Sequence, residues 1–186
     1  MKQITYEIFF KEWKNICKQN EQDLFDKWDN CKEYTSIILN NDKSITQQIA
    51  ELFGLSVLHE YYFIDAVFYD EKNDVVVSEA KNKTWTSTQG TWLKNIEIAF
   101  EHENHLSGAR GGYQEICHLL TTRSKLKILV GYAENNSHDE YAEDFQSILV
   151  NDKDVQQSIL FILGYMENDT IKWKGYILET DKVRKI

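Results

Sequence analysis

The chain contains no proline and only eight glycines in 186 residues. Collagen-like, Pro-rich and Gly/Ser-linker architectures are excluded on that count. Cysteine is scarce too. Cys17, Cys31 and Cys117 are odd in number and widely spaced. That does not make a disulfide framework and fits packed thiols in a reducing cytoplasm. No run of 18 apolar residues is present, so no transmembrane helix is expected. Met1–Phe10 lacks the basic segment, apolar stretch and cleavage site of a signal peptide, and none is expected. Basic excess is missing as well: 21 Lys and Arg face 30 Asp and Glu, for a net charge of −9. A protein that coats nucleic acid needs a basic surface. An enzyme that gathers its acids around a metal does not.

What is present is enough for a core. Apolar residues make up 42% and aromatics 13%, which excludes wholesale disorder. The length fits one domain over 1–186, with residues 1–40 as an N-terminal helical arm packed on it. Helical spacing of Ile8, Phe9, Trp13, Ile16 and Cys17 predicts a helix over 5–19, capped by Thr5. A second helical stretch runs over 21–38. Ser44 and Gln47 form a capping-box signature for a helix over 45–53, closed by Gly54.

The pattern then becomes strand-like. Tyr61–Tyr69 and Val75–Ala80 flank a polar turn, Asp70–Asp74, and read as a hairpin. A third strand is expected over Ile96–Glu101, a helix over 108–123, and a buried strand over Leu126–Tyr132. A helix near 139–150 and a terminal hairpin, Ile159–Met166 with Ile171–Leu178, complete the order. The simplest architecture that buries all these faces is α/β: a central mixed β-sheet flanked by helices, with an N-terminal helical segment.

Two strands end in closely spaced acids. On the third, Glu101 and Glu103 share one face, because side chains alternate along a strand. On the second, Glu79 and Lys81 share a face. On the first, Asp65 interrupts the apolar sequence Phe63–Phe68. A charge there is costly unless it is paired or binds a metal. Singly, Asp65 reads as a buried ion pair or a backbone hydrogen-bond acceptor, and the Glu101/Glu103 pair as a solvated strand end. Together they form a carboxylate cluster whose repulsion a hard divalent cation would relieve.

This arrangement resembles the PD-(D/E)XK nuclease superfamily, with its restriction-endonuclease-like fold, over roughly residues 44–133. Two versions fit. In one, Asp65, Glu79 and Lys81 supply the common motif. In the other, Asp65, Glu101 and Glu103 supply a Glu-x-Glu variant. The second is preferred, because Glu101/Glu103 is followed directly by a helix and an apolar strand, as in the superfamily layout. It departs from the common pattern in its long separation from Asp65 and in lacking a lysine at position 103. Lys81, reaching in from the neighbouring strand, would partly compensate.

The resemblance implies a metal-dependent nuclease that hydrolyses phosphodiester bonds, of DNA, through Mg²⁺ or Mn²⁺ held by Asp65, Glu101 and Glu103. Glu51 and Glu115 are candidate outer ligands, although helix glutamates usually face solvent. Lys81, Lys83, Lys94 and Arg110 are the neighbouring cations for phosphate. Arg110-Gly111-Gly112 opens a helix whose backbone N–H groups suit an anion. Trp85 and Trp92 suit base stacking or packing. Cleavage of both strands implies a homodimer by analogy. The competing expectations are a catalytically silent nuclease-fold protein acting as a subunit, inhibitor or scaffold, and an interaction module built on helices 5–38. No Gly-x-Ser-x-Gly, P-loop, Rossmann or His-Glu-x-x-His motif is present. His102, His105, Cys117 and His118 cluster without zinc-site spacing. His102 and His105 are expected to face solvent.

Overall fold

The computed structural model describes residues 3–40, 42–74, 92–106, 111–133, 138–150 and 157–186. Four helices come first: α1 (Tyr6–Gln19), α2 (Glu21–Asp26), α3 (Cys31–Ile38) and α4 (Ile45–Phe53). The Thr5 hydroxyl accepts from Ile8 N–H, and Ser44 Oγ accepts from Gln47 N–H. Gly54 ends α4 at φ 67°, the left-handed conformation that costs glycine little. The expected helix over 21–38 is divided. Asn30 caps α3 with its side chain, accepting from Glu33 N–H, and so starts a new helix.

The strands are β1 (Ser56–Tyr61), β2 (Ile64–Tyr69), β3 (Ile98–Glu103), β4 (Leu126–Tyr132), β5 (Ser158–Glu167), β6 (Thr170–Glu179) and β7 (Val183–Lys185). Three further helices intervene: α5 (Glu71–Asp74), α6 (Tyr113–Thr121) and α7 (His138–Val150). All seven strands form one sheet in sequence order. β3, β4 and β5 are parallel, and the remaining neighbours are antiparallel. The two parallel connections carry α6 and α7, as parallel pairing requires a crossover.

The central mixed sheet separates two apolar layers. Phe9, Trp13, Tyr34, Ile38 and Ile49 from the first four helices pack on Phe68, Phe100, Val130 and Ile162. On the other face, Ile116 and Leu119 of α6 and Phe145 and Leu149 of α7 cover Val67, Ala99, Leu129 and Phe161. Phe9, Trp13, Tyr34 and Ile38 of the N-terminal arm therefore belong to the core.

Several expected elements move. Tyr61–Tyr69 is not one strand: it contains the turn between β1 and β2, with Tyr62 at φ 59°. That turn has none of the Asn or Gly that usually marks a tight hairpin. The polar segment Asp70–Asp74 contains the helical turn α5. Val75–Ala80 lies outside the described residues, and both edges of β2 are occupied by β1 and β3. Among the described residues no helix is long and apolar enough to cross a membrane.

Candidate metal centre

The site begins where a ladder stops. β2 and β3 pair as far as Ala66 with Phe100. The next residues would be Asp65 and Glu101, and here carboxylates replace backbone partners. Asp65 N–H donates to Glu101 Oε2 at 3.2 Å. His102 N–H donates to Asp65 Oδ2 at 2.8 Å. Each strand thus lends an amide to the other strand's acid. The same point is irregular on the β1 side, where the pairing skips Glu60 at φ 53°.

Alternation along β3 decides which acids meet. Ala99 belongs to the layer under α6 and α7, and Ile98 and Phe100 to the opposite layer. Glu101 and Glu103 therefore project toward α6, and His102 away from it. Glu101 is 1% exposed. Its Oε1 lies 3.1 Å from His118 Nδ1, and that nitrogen is 3.2 Å from Glu115 Oε2. Glu115 and His118 are one helical turn apart on α6, so both flank the buried Ile116 and Leu119. The Phe63 ring packs beside the imidazole at 5.0 Å. Among the described residues, the group suited to hold a metal ion is Glu101, Glu115 and His118, whose donor atoms lie within 4.8 Å of one another.

These acids resist ionising together. Burial raises the Glu101 carboxyl well above its ordinary range, and the charges of Asp65 and Glu115 push the same way. Burial also raises Asp65, against the opposing hydrogen bonds from His102 N–H and Glu101. Glu115 is raised by burial and by Asp65, with His118 opposing. Carboxylate oxygens and an imidazole nitrogen are both donor types that serve divalent cations.

The other candidate residues fall elsewhere. Glu103 shares the Glu101 face but accepts from His105 N–H at 2.7 Å, at the strand's end. Glu51 is an exposed residue of α4, on the other side of the sheet. Glu79, Lys81, Lys83, Trp85 and Arg110 lie outside the described residues. Lys94 is exposed, and Trp92, 52% exposed, stands 6.4 Å from the Tyr62 ring. Gly112 does open α6. A Cβ there would come within 2.4 Å of the Phe145 ring, so the glycine's first role is close packing on α7. Cys17 is a packed thiol, but Cys31 and Cys117 are exposed.

Two residues correct the sequence reading. His102 is not solvent-facing: it is buried against Tyr34 and Tyr132, with Nε2 3.0 Å from the Tyr132 hydroxyl. Its position on the apolar side of β3 follows from the same alternation that aims Glu101 at α6. His118 belongs to a histidine and cysteine group that lacks zinc-site spacing. The signal that finds it is Glu115-x-x-His118, which places a carboxylate and an imidazole on one helix face.

Lys127 is a buried lysine on the same sheet face, level with Ala99. Its Nζ donates to the carbonyls of Leu119 and Thr122 at the end of α6. It is thereby committed to capping that helix. A groove of about 500 Å³ lined by Tyr6, Thr122, Arg123, Lys125 and Lys127 lies at the far end of β4 and shares no residue with the carboxylates. No protein-family model, curated protein or solved structure matches the chain.

Proposed function

We propose that the chain is a metal-dependent nuclease that hydrolyses phosphodiester bonds, with DNA as its substrate, on a restriction-endonuclease-like scaffold. The observation that carries this reading is the reciprocal bonding of Asp65 and Glu101 at the open end of the β2–β3 ladder. The element order supports it. The acid-bearing β3 is followed by helix α6 and then by the parallel strand β4, the layout that the PD-(D/E)XK resemblance leads one to expect.

Asp65 and Glu101 are the residues that would hold Mg²⁺ or Mn²⁺. When bound, such an ion lowers the pKa of a coordinated water and neutralises charge developing on phosphate oxygens. The chain's own contribution is positional. The amides of Asp65 and His102 fix the two carboxylates across the sheet, so little reorganisation remains for the reaction. Glu103, farther along the same face, would be the group to take a proton from an attacking water. Lys81, Lys83 and Arg110 remain the proposed phosphate contacts. Cutting both strands of a duplex would call for two copies.

A second reading keeps the scaffold and drops the chemistry. It is favoured by one observation: Lys127, the buried lysine on the acidic face, is bound to α6 carbonyls instead of the carboxylates. A nuclease-fold subunit or inhibitor would show that arrangement. Incubation of the purified chain with Mg²⁺ or Mn²⁺ and single- and double-stranded DNA and RNA separates the two. Cleavage that falls at least 100-fold in Asp65→Ala and Glu101→Ala supports the nuclease. Absence of cleavage of all four substrates overturns it.

A further inference from the structure

The acids that the nuclease motif requires are Asp65 and Glu101, yet an imidazole nitrogen lies 3.1 Å from Glu101 Oε1. We propose that His118 Nδ1 is a nitrogen ligand in the same centre, alongside Glu101 and Glu115, and that it makes the site select Mn²⁺ over Mg²⁺. The proposal rests on the reading that Asp65 and Glu101 hold a divalent ion, and it goes beyond that reading in naming which ion.

Three observations converge. The first is spacing. Donors adjacent to each other around a small divalent ion, with bonds of about 2.1 Å, sit about 3 Å apart. His118 Nδ1 lies 3.1 Å from Glu101 Oε1 and 3.2 Å from Glu115 Oε2. The second is donor economy. An Nδ1–H can align with one acceptor, yet two carboxylate oxygens approach that nitrogen at nearly equal distance. Glu101 Oε2 already accepts from Asp65 N–H, which leaves Oε1 turned toward the imidazole. A cation among the three atoms satisfies all of them at once. The third is depth. The side chains of Glu101, Glu115 and His118 are 1%, 18% and 24% exposed, so the group has a buried floor and an open side for an incoming ion. Phe63 against the imidazole limits its rotation.

The chemistry of that donor set sets the preference. Carboxylate and water alone suit Mg²⁺, which sheds its hydration reluctantly. An imidazole nitrogen favours first-row transition ions, of which Mn²⁺ still accepts several oxygen ligands.

The test measures Mn²⁺ and Mg²⁺ binding calorimetrically on the full chain, together with pulsed electron paramagnetic resonance of bound Mn²⁺. The wild type should bind Mn²⁺ at least tenfold more tightly than Mg²⁺ and show nitrogen modulation that changes on ¹⁵N-histidine labelling. His118→Ala should lose that modulation and at least tenfold in Mn²⁺ affinity, while Mg²⁺ affinity changes less than threefold. Mn²⁺ bound without nitrogen coupling in the wild type overturns the proposal, and needs no variant to fold. An unchanged Mn²⁺-to-Mg²⁺ ratio in His118→Ala does the same. Loss of both ions in Glu101→Ala, with either of those results, leaves the carboxylate reading standing and removes only the imidazole. Failure of the wild type to bind either ion removes both.

Discussion

Lys127 carries an amine into the layer under α6, where burial lowers its pKa from the ordinary lysine value to about 8. Its donors are used by the Leu119 and Thr122 carbonyls, which would otherwise be among the unpaired groups at a helix end. The sign of the pH effect follows. Below about pH 8 the amine is charged in both folded and unfolded chains, and the folded state bears the full cost of burying it. Between about 8 and the ordinary lysine value the unfolded chain holds more protons, so stability rises with pH. Above that window it is level again. Lys127→Met has no such group. Urea unfolding of both proteins at pH 7 and pH 10 should therefore show the wild type gaining on the variant at the higher pH. A difference that stays constant would mean that the amine is not desolvated.

Glu101 and His118 show how far single residues were legible. That Glu101 faces a helix follows from alternation along an apolar strand, and the sequence carries that information. That the facing helix presents His118 to Glu101 depends on how α6 is rotated, which Ile116 and Leu119 fix by burial. Glu115-x-x-His118 is visible in the sequence, but a helical pair meets a strand acid only once the crossover is built.

At the scale of elements, legibility follows the strength of the periodic signal. Leu126–Tyr132 is a strand over the expected residues, because a short apolar run buried on both faces has few alternatives. The β5–β6 hairpin is also as expected, and Asn168 and Asp169 take the positive φ values of 49° and 55° that a two-residue turn demands. β1 was not legible. Ser56–Tyr61 is half-buried along most of its length and so lacks clean alternation. The seating of α1 was legible only as an apolar stripe. What lets it sit close to β6 is Gly175, where a Cβ would lie 2.8 Å from the Phe10 ring and 2.9 Å from Ile186. Gly175→Ala should destabilise the fold by about 1–3 kcal/mol through overpacking, measured by urea unfolding. A loss under about 0.5 kcal/mol would show that α1 shifts freely on the sheet.

For the whole molecule, the acid excess becomes a statement about place. Of the net charge of −9, residues 61–120 carry 9 acids against 5 bases, and four of those acids are Asp65, Glu101, Glu103 and Glu115. A chain with that balance gains little from unspecific contact with phosphates, and on the proposed metal-centre reading a divalent cation is what couples it to stability and to substrate. Glu101→Gln tests this coupling. Burial and its acidic neighbours hold the Glu101 carboxyl toward its protonated form, and glutamine has nearly the same shape and keeps an acceptor for Asp65 N–H. The metal-free variant should therefore melt within about 2 °C of the wild type, since little packing or hydrogen bonding changes. Mn²⁺ at a hundred times its dissociation constant adds about 2.7 kcal/mol to a protein that binds it only when folded. In a chain of this size that raises the melting temperature by about 5–10 °C. The wild type should show that rise and Glu101→Gln should not. An equal rise in both would place the ion away from Glu101. A metal-free variant much less stable than the wild type would mean instead that the ionised carboxylate, held by Asp65 N–H and His118, is itself part of what keeps β2 and β3 together.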